Sequence, residues 1–322
     1  MSIFLVTGGA GFIGSHIVEE LLKRGERVRV LDNFFTGKRE NLDFIKSLNH
    51  SITQSLEVIE GDIRDFATVK KTMKNMDYVI HEAALRSVPK SMEDPVSYHE
   101  VNVGGTLNVL IAARDEKVKK VVLASSSSVY GETERLPEKE ECQPQPISPY
   151  ALTKLAGEYY CQVFSRAYGL KTVSLRYFNV FGPRQSLESQ YAIVIPKFIT
   201  CMLKDESPPI HGDGLQSRDF TYIDNVVKAT IQATLVTNLN GEVLNVACGK
   251  AYTVLDIVKY VNQILGKNIQ PLFTPPRPGD VRHTLADVTK QEKILGIRAE
   301  IDFYEGLKRT VDYFRTQINT NK

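Results

Sequence analysis

The chain has 322 residues, of which 42% are hydrophobic and 24% are charged, as in an ordinary globular protein with a sizeable core. Its length exceeds that of one simple sheet domain and falls short of three, so we expect two closely joined lobes. The formal net charge of +2, without blocks of basic residues, gives no electrostatic case for nucleic acid as a partner.

The first predicted strand and helix flank a glycine-rich turn. Ser2 to Val6 is a short apolar run typical of a buried parallel strand, and Phe12 to Lys23 repeats apolar residues at helical spacing. Between them stand Gly8, Gly11 and Gly14. Such glycines permit a tight turn, let the backbone approach a pyrophosphate, and let helix and strand pack closely. The helix N-terminus offers unpaired N–H groups to phosphates, so the sequence predicts a dinucleotide site.

The second predicted strand, Arg27 to Leu31, ends at an acidic residue. Asp32 would accept hydrogen bonds from the adenosine ribose hydroxyls and would repel a 2′-phosphate, which favours NAD over NADP. Asp32 and Asn33 together also suit a turn, so a solvated turn aspartate is the alternative interpretation.

Strand and helix patterns continue to alternate until about residue 176. This alternation predicts an α/β fold with a doubly wound parallel (Rossmann) sheet. The further buried strands are expected near Val58 to Glu60, Tyr78 to His81, Val121 to Ala124 and Thr172 to Arg176.

A helix predicted from Pro149 to about Tyr168 carries Tyr150 and Lys154 four residues apart, on the same side. Free tyrosine has a pKa near ~10, so a tyrosine base at neutral pH needs a nearby positive charge. The strand before this helix runs into Ser125 to Ser128, where a hydroxyl could complete a Ser–Tyr–Lys trio. The pattern predicts acid–base chemistry on a hydroxyl or carbonyl. Tyr-x-x-x-Lys also arises by chance, and the serines could form a polar turn.

The second half of the chain has a mixed pattern. Prolines cluster at Pro208-Pro209 and Pro275-Pro276-Pro278, and the predicted helices are shorter. We expect residues 1–177 to form an NAD-binding Rossmann domain. Residues 178–322 would form a smaller mixed α/β lobe that binds the substrate, with some segments returning to the first domain.

Cysteine usage and hydropathy bear on the compartment. The apolar start, Ile3 to Val6, is too short for a signal peptide, and no run approaches the ~20 apolar residues of a membrane span. We therefore expect a cytoplasmic protein with no membrane partner. The cysteines lack Cys-x-x-Cys spacing, which favours a reducing compartment and argues against a metal site; they are Cys142, Cys161, Cys201 and Cys248.

Together these motifs resemble those of the extended short-chain dehydrogenases/reductases. Within that group the chain is similar to the NAD-dependent UDP-hexose 4-epimerases, especially those acting on UDP-N-acetylglucosamine. The similarity runs from Thr7–Gly14 to Arg277–Asp280 and beyond, nearly the whole chain. It implies interconversion of UDP-GlcNAc with UDP-GalNAc, and of UDP-glucose with UDP-galactose, through transient oxidation by NAD to a 4-keto sugar. The implied catalytic residues are Ser126, Tyr150 and Lys154.

The same resemblance assigns residues to the cofactor and to the substrate. Asn102 would sit behind the cofactor, and Phe178 would touch the nicotinamide. Arg218 and Arg277 would clamp the diphosphate and uridine ribose, because the planar guanidinium matches phosphate oxygens. The implied NAD contacts are Gly8, Gly11, Phe12, Ile13, Gly14, Asp32, Asn33, Asp62, Ile63, Ala83, Ala84, Arg86, Asn102, Ser125, Tyr150, Lys154 and Phe178. The implied UDP-sugar contacts are Ser87, Ser126, Ser127, Tyr150, Asn179, Ile195, Lys197, Arg218, Arg277, Asp280 and Thr284.

Thr284 would line the wall beside the substituent at carbon 2 of the sugar. Relatives with a bulky aromatic residue there are confined to unsubstituted hexoses, whereas threonine leaves room for an acetamido group. Gln190-Tyr191-Ala192 and Ile195-Pro196-Lys197 also resemble the N-acetylhexosamine-active relatives. The alternative is that Thr284 is simply a strand residue, since threonine is common in strands.

Sister reactions in this family begin with the same oxidation at carbon 4. Dehydratases need an acid pair at the positions of Ser127 and Ser128, and decarboxylases typically place a glutamate at the second. Uronate epimerases usually carry an arginine where Ser186 stands, because a buried carboxylate needs a positive partner. Plain 4-epimerisation remains. The open alternatives are an epimerase confined to UDP-glucose and UDP-galactose, a UDP-glucuronate 4-epimerase, and a non-catalytic NAD-binding sensor.

Two helices also predict the assembly. The helix from Tyr150 to Tyr168, and one expected from about Val96 to Arg114, carry apolar residues on more than one face. Relatives pair these helices in a dimer contact, and a twofold contact is the commonest closed arrangement. We expect a homodimer.

Overall fold

A parallel β-sheet forms the centre of the computed structural model, which describes residues 1–47, 54–133, 135–186, 194–276 and 281–320. In chain order the strands in these residues are β1 Ile3–Thr7, β2 Arg27–Asp32, β3 Leu56–Glu60, β4 Tyr78–His81, β5 Lys120–Ser126, β6 Thr172–Tyr177, β7 Val180–Phe181, β8 Pro209–His211, β9 Ser217–Asp219, β10 Thr221–Tyr222, β11 Glu242–Val246, β12 Ala251–Thr253 and β13 Leu272–Thr274. The central sheet has the order β11-β6-β5-β4-β1-β2-β3, and every pairing in it is parallel. The predicted doubly wound Rossmann fold is confirmed.

Helices cover both faces of this sheet. In the described residues they are α1 Phe12–Lys23, α2 Phe66–Met73, α3 Val88–Glu93, α4 Pro95–His99, α5 Thr106–Asp115, α6 Pro149–Tyr168, α7 Val194–Leu203, α8 Ile223–Leu235, α9 Val254–Leu265, α10 Thr289–Leu295 and α11 Phe303–Thr320. None of these helices is both long and apolar enough to cross a membrane.

Alternation along β1 explains the two layers of core. Phe4 and Val6 pack into the cluster that contains α1 and α8, whereas Leu5 packs into the cluster that contains α2, α5 and α6. Successive side chains of a strand point to opposite faces, and a sheet covered on both faces buries both sets. β1 pairs with β2 on one side and with β4 on the other, so the order of the strands along the sheet reverses at β1. Such a reversal opens a crevice at the carboxyl ends of the strands.

The helix predicted from about Val96 to Arg114 is not one regular α-helix. A π-helical segment, Glu100–Gly105, separates α4 from α5. Within it, the Asn102 side chain donates to the Leu85 carbonyl (2.9 Å) and accepts from the Leu85 N–H (2.8 Å). Single π-helical turns often occur at functional sites, and this one holds the chain beyond β4 at the edge of the crevice.

The second half of the chain is attached to the sheet at several points. β11 pairs with β6, and α8 packs on α1. Smaller strand pairs join β7 to β10, β8 to β13 and β9 to β12. The predicted domain boundary between residues 177 and 178 stays a prediction.

Candidate functional site

A cleft of about 330 Å³ opens at the carboxyl ends of β1, β2, β4 and β5. It contains the reactive Tyr150 and Lys154 as well as the glycine turn. Every residue that the resemblance assigned to NAD lines this cleft, except Asn102 and Phe178. Other lining residues were not predicted, among them Leu31, Phe35, Thr36, Arg64, Ser97, Val101, Ala124 and Tyr177.

The glycines of the turn are required by close packing. Gly8 has φ +69°, and a Cβ there would lie 2.7 Å from the Ala83 nitrogen. A Cβ at Gly14 would lie 2.2 Å from the Gly8 carbonyl oxygen. Gly11 is the N-cap of α1 and offers no side-chain cap, so the first N–H groups of the helix are left for another acceptor. The turn therefore fits the pyrophosphate of a dinucleotide.

Carboxylates mark the other end of the cleft. Asp32 is 7% exposed, and it accepts from the N–H groups of Ala10 (2.9 Å) and Phe34 (2.8 Å). Burial raises the pKa of its carboxyl, and these two bonds oppose the rise. Asp32 thus both closes a turn and faces the cleft. Asn33 donates to Asp62 (2.9 Å), and Arg64 holds the pKa of Asp62 down to about 2. These acceptors fit the hydroxyl and amino groups of an adenosine.

The predicted catalytic residues meet at the opposite end. β5 ends at Ser126, and α6 begins at Pro149 after the N-cap Ser148, so Tyr150 lies in the first helical turn. The Ser126 hydroxyl hydrogen-bonds the Tyr150 phenol. Lys154 is buried and donates from Nζ to the Ala124 carbonyl (2.7 Å). A phenol, a hydroxyl and an ammonium at one point can move a proton to or from a bound alcohol.

The pKa of Tyr150 differs from the sequence-based expectation. Burial raises it, and the Ser126 hydrogen bond and the Arg86 guanidinium act in the opposite direction. Tyr98, whose ring meets Tyr150 edge-on at 6.4 Å, adds to the rise. From the sequence we expected the positive charge of Lys154, on the same side of the helix, to lower this pKa. In the chain alone, desolvation of the phenolate outweighs the favourable charges.

Two residues that the sequence reasoning gave no part in the chemistry, Glu82 and Tyr177, line the cleft with Tyr150 and Lys154. Glu82 follows β4 directly, and its Oε1 accepts from the Tyr177 hydroxyl at 2.8 Å. Burial raises the pKa of Glu82 to about 7. The position of Glu82, a charged residue at the carboxyl end of a buried strand, indicates a place in the cleft. No local pattern predicts its partner Tyr177, which is 95 residues away in the sequence.

Ser125 is tied to an ion pair beneath the cleft. Its hydroxyl donates to Glu158 (2.5 Å), and Glu158 pairs with Arg176 (2.7 Å). Both partners of this ion pair are almost fully buried. A buried pair with matched geometry and extra hydrogen bonds holds its neighbours in place, so it fixes the end of β5 next to Ser126.

The two exceptions in the cofactor set lie behind the cleft. Asn102 is buried and braces the backbone at Leu85, as the expectation of a place behind the cofactor requires. Phe178 is fully buried, and its ring packs 6.1 Å from that of Tyr130. Its side chain does not line the cleft, so a nicotinamide contact by Phe178 stays a prediction.

The predicted substrate residues gather partly around Asn179. This side chain, just beyond β6, donates to the Thr284 hydroxyl (3.2 Å) and to the Asp219 carbonyl (3.3 Å). Thr284 is buried and lies outside the strands, between His283 and Ala286, each of which forms an isolated bridge. Arg218, on β9, donates to the Arg282 carbonyl (3.0 Å).

The remaining substrate candidates are dispersed. Ser87 is the N-cap of α3, and Ser127 begins the 3-10 turn after β5. Ile195 is fully buried on α7, and Lys197 on the same helix is partly exposed. Arg277 and Asp280 lie outside the described residues, as do Gln190, Tyr191 and Ala192.

The known proteins that are similar to this chain are named for three kinds of sugar nucleotide. Residues 4–247 match the model of the NAD dependent epimerase/dehydratase family. A solved UDP-N-acetylglucosamine 4-epimerase from Methanobrevibacter ruminantium, in complex with UDP-N-acetylmuramic acid, is 42% identical, with a TM-score of 0.92 over 98% of this chain and 99% of that one. The UDP-glucose 4-epimerase of Thermus thermophilus, in complex with NAD, is 40% identical, with a TM-score of 0.85 over 97% and 99%. The UDP-glucuronic acid 4-epimerase of Bacillus cereus, in complex with UDP-glucuronic acid and NAD, is 35% identical, with a TM-score of 0.88 over 98% and 99%.

Proposed function

Because this chain belongs to the NAD dependent epimerase/dehydratase family and is an NAD-dependent UDP-sugar 4-epimerase, we propose that its substrates are the UDP-N-acetylhexosamines and the plain UDP-hexoses. The observation that carries the reaction is the meeting of Ser126, Tyr150 and Lys154 at one end of a dinucleotide cleft. Their chemistry is proton transfer at the sugar hydroxyl that is oxidised and re-formed.

Each catalytic side chain has a separate task in this proposal. NAD, when bound along the glycine turn and Asp32, supplies a reversible two-electron acceptor. Tyr150 takes the proton of the 4-hydroxyl and later returns it. Ser126, already bonded to the phenol, steadies that proton. Lys154, fixed by the Ala124 carbonyl, places a positive charge beside the base.

The surroundings of Thr284 support a substrate that carries an acetamido group at carbon 2 of the sugar. The side chain is small, and its hydroxyl accepts from Asn179, which the resemblance places at the substrate. A small residue leaves room beside carbon 2 of the sugar, and a plain hydroxyl there fits the same space. The proposal that the enzyme accepts both substrate classes therefore depends on the small side chain of Thr284.

Elimination and decarboxylation lack their expected acid groups. Ser127 and Ser128 occupy the positions where sister enzymes carry carboxylates, and the Ser128 hydroxyl has no hydrogen-bond partner among the described residues. UDP-glucuronate is the second candidate substrate, favoured by Arg86, whose guanidinium acts on Tyr150 and could face a sugar carboxylate.

A single incubation series tests the proposal. Purified protein with NAD is given UDP-GlcNAc, UDP-GalNAc, UDP-glucose, UDP-galactose and UDP-glucuronate separately, and the products are resolved by chromatography. We expect the two N-acetylhexosamines to interconvert, and likewise the two hexoses. Turnover of UDP-glucuronate alone would contradict the proposal and select the second candidate.

We further propose a homodimer. Leu152, Tyr159 and Val163 form an exposed apolar stripe along α6, each more than half exposed. Val96 at the start of α4 is 66% exposed, and α5 packs beside α6. Contiguous apolar surface of this kind is uncommon on monomers, and a second copy of the chain would cover it.

A further inference from the structure

Glu82 is an acidic side chain inside a cleft that must accept a cationic ring. It lines the same cavity as Tyr150 and Lys154. Its Oε1 accepts from the Tyr177 hydroxyl at 2.8 Å, and that hydroxyl is also 2.8 Å from Thr230 Oγ1. The carboxyl group is therefore held in the cleft by a hydroxyl from β6, which is itself in hydrogen-bond contact with α8.

The groups facing Glu82 are mainly cationic or neutral. From α6, the Lys154 ammonium stabilises the carboxylate. The carboxylate in turn opposes the lowering of the Lys154 pKa by burial, and it adds to the rise of the Tyr150 pKa. From β6, Tyr177 donates its hydrogen bond. The neighbouring His81 is fully buried with a pKa lowered to about 3, so it stays neutral near pH ~7. Glu158, deeper on α6, is already paired with Arg176.

We propose that Glu82 is a charge-balancing residue that favours the oxidised form of the bound cofactor over the reduced form. The oxidised nicotinamide carries one positive charge and the reduced ring carries none, so a fixed carboxylate stabilises only the first. A buried site strengthens this effect, because water does not screen it. The inference rests on the proposed function, since it assumes that the reactive ring lies at the Tyr150 end of the cleft.

This preference has a use in an isomerase. Its cofactor must return to the oxidised form in every cycle, and a reduced cofactor left behind by a departing intermediate would stop the enzyme. A carboxylate that disfavours the reduced form reduces that loss. The same charge opposes ionisation of Tyr150, so it slows the first proton transfer while it protects the cycle.

The test is the midpoint potential of the bound cofactor in the holoenzyme. It is measured by dye-linked reduction and the absorbance of reduced nicotinamide, without sugar substrate. Glu82→Gln should raise the potential by about 30 mV or more, which is a tenfold change for a two-electron couple. The matched control Glu82→Asp keeps a carboxylate on the same backbone position, so its potential should change by much less. An unchanged potential in Glu82→Gln would overturn the inference.

A second measurement avoids a variant that fails to fold. In the wild-type holoenzyme the carboxyl group has a pKa near 7. As the pH falls from about 7.5 to about 6, the bound couple should gain potential more steeply than free NAD, because protonation removes the charge. A slope equal to that of free NAD would also overturn the inference. Lys154, with its pKa lowered to about 8, titrates mainly above this window. If the potentials respond as expected but no UDP-sugar is epimerised, the proposed function fails and the Glu82 assignment stands.

Discussion

The Tyr150 hydroxyl lies in surroundings that oppose its ionisation. Burial raises its pKa, and the acidic Glu82 and the Tyr98 phenol add to that effect. The Ser126 hydrogen bond and the Arg86 guanidinium act in the other direction. If Tyr150 is the base, as we propose, it is protonated while the cleft holds no cofactor, and a cation bound beside it would lower its pKa.

Removal of this hydroxyl should stop turnover without preventing binding. Tyr150→Phe should bind NAD and UDP-sugar nearly as wild type and lose ~10²–10⁴-fold in kcat, the usual contribution of a positioned acid–base group. Tyr159→Phe removes a half-exposed hydroxyl from the same helix and should keep full activity. Steady-state assays with calorimetric binding measurements check this. A Tyr150→Phe enzyme with more than about a tenth of wild-type kcat would rule out Tyr150 as the base.

Thr284 sets the sugar specificity in our proposal. Thr284→Tyr should abolish turnover of UDP-GlcNAc by steric exclusion and leave most UDP-glucose turnover. Thr284→Ser keeps the hydroxyl that accepts from Asn179 and should retain both activities. The measurement is kcat/KM for the two substrates, with thermal melting to verify folding because the site is buried. Equal effects on both substrates in a folded Thr284→Tyr protein would show that Thr284 does not face the sugar.

At the scale of elements, the connection between the 3-10 turn after β5 and α6 is held by a buried glutamate. The Glu138 N–H donates to the Leu285 carbonyl (2.7 Å), and its carbonyl accepts from the Asp287 N–H (2.8 Å). The side chain is 1% exposed, and neither carboxyl oxygen has a hydrogen-bond partner among the described residues. Burial, with Asp219 nearby, raises the pKa of Glu138 to about 8.

The raised pKa of Glu138 predicts how the free energy of unfolding changes with pH. A carboxyl group with a raised folded-state pKa stabilises the fold fully below its unfolded pKa of ~4.5, and that contribution is lost as the pH rises through about 8. Glu138→Gln removes the titration. Its free energy of unfolding should exceed that of wild type by about 1–3 kcal/mol at pH ~8.5, because the buried wild-type carboxyl group is then ionised without a partner whereas the glutamine stays neutral. At pH ~5 the gap should nearly vanish.

Urea unfolding at the two pH values measures this difference. Glu141→Gln is the control, because it changes an exposed glutamate in the same connection and should leave both values unaltered. A gap between Glu138→Gln and wild type that does not depend on pH would mean that the Glu138 carboxyl does not titrate in this range.

At the scale of the whole molecule, the two halves of the chain share one sheet. β11 adds to the edge beside β6, and α8 packs on α1. Aromatic rings from both β7 and α11 meet around Phe303, which stacks on Phe220 at 5.4 Å and contacts Phe181 at 5.5 Å. These contacts join the second half of the chain to the residues that follow β6.

The proposed dimer can be tested by placing a charge on the apolar stripe of α6. Wild type should sediment as a dimer at micromolar concentration. Val163→Glu should shift it to monomer, since burying an unpaired charge in an apolar contact is unfavourable. Leu235→Glu changes an equally exposed apolar residue at the end of α8 and should leave the dimer intact. A monomeric wild type would contradict the proposal.

The sequence alone determined the parts of this protein that depend on local spacing. The glycine turn, Asp32 and the positions of the strands follow from short periodic patterns, and the structure has them where they were predicted. The prediction that the strand at Val58 to Glu60 is buried was wrong, because β3 is the edge strand of the sheet and Val58 is 41% exposed. Tyr150 and Lys154 share a helix, so four-residue spacing placed them together. Their type and position also carried the resemblance to the epimerase family.

Only the tertiary structure decided what surrounds these residues. Glu82 meets Tyr177 across 95 residues, and Asn179 meets Thr284 across 105. Such partners are set by how distant segments pack, and no local period records them. Burial also depends on the whole fold. It raises the pKa of Tyr150 by desolvation, and it places the Phe178 side chain in the core, away from the cleft.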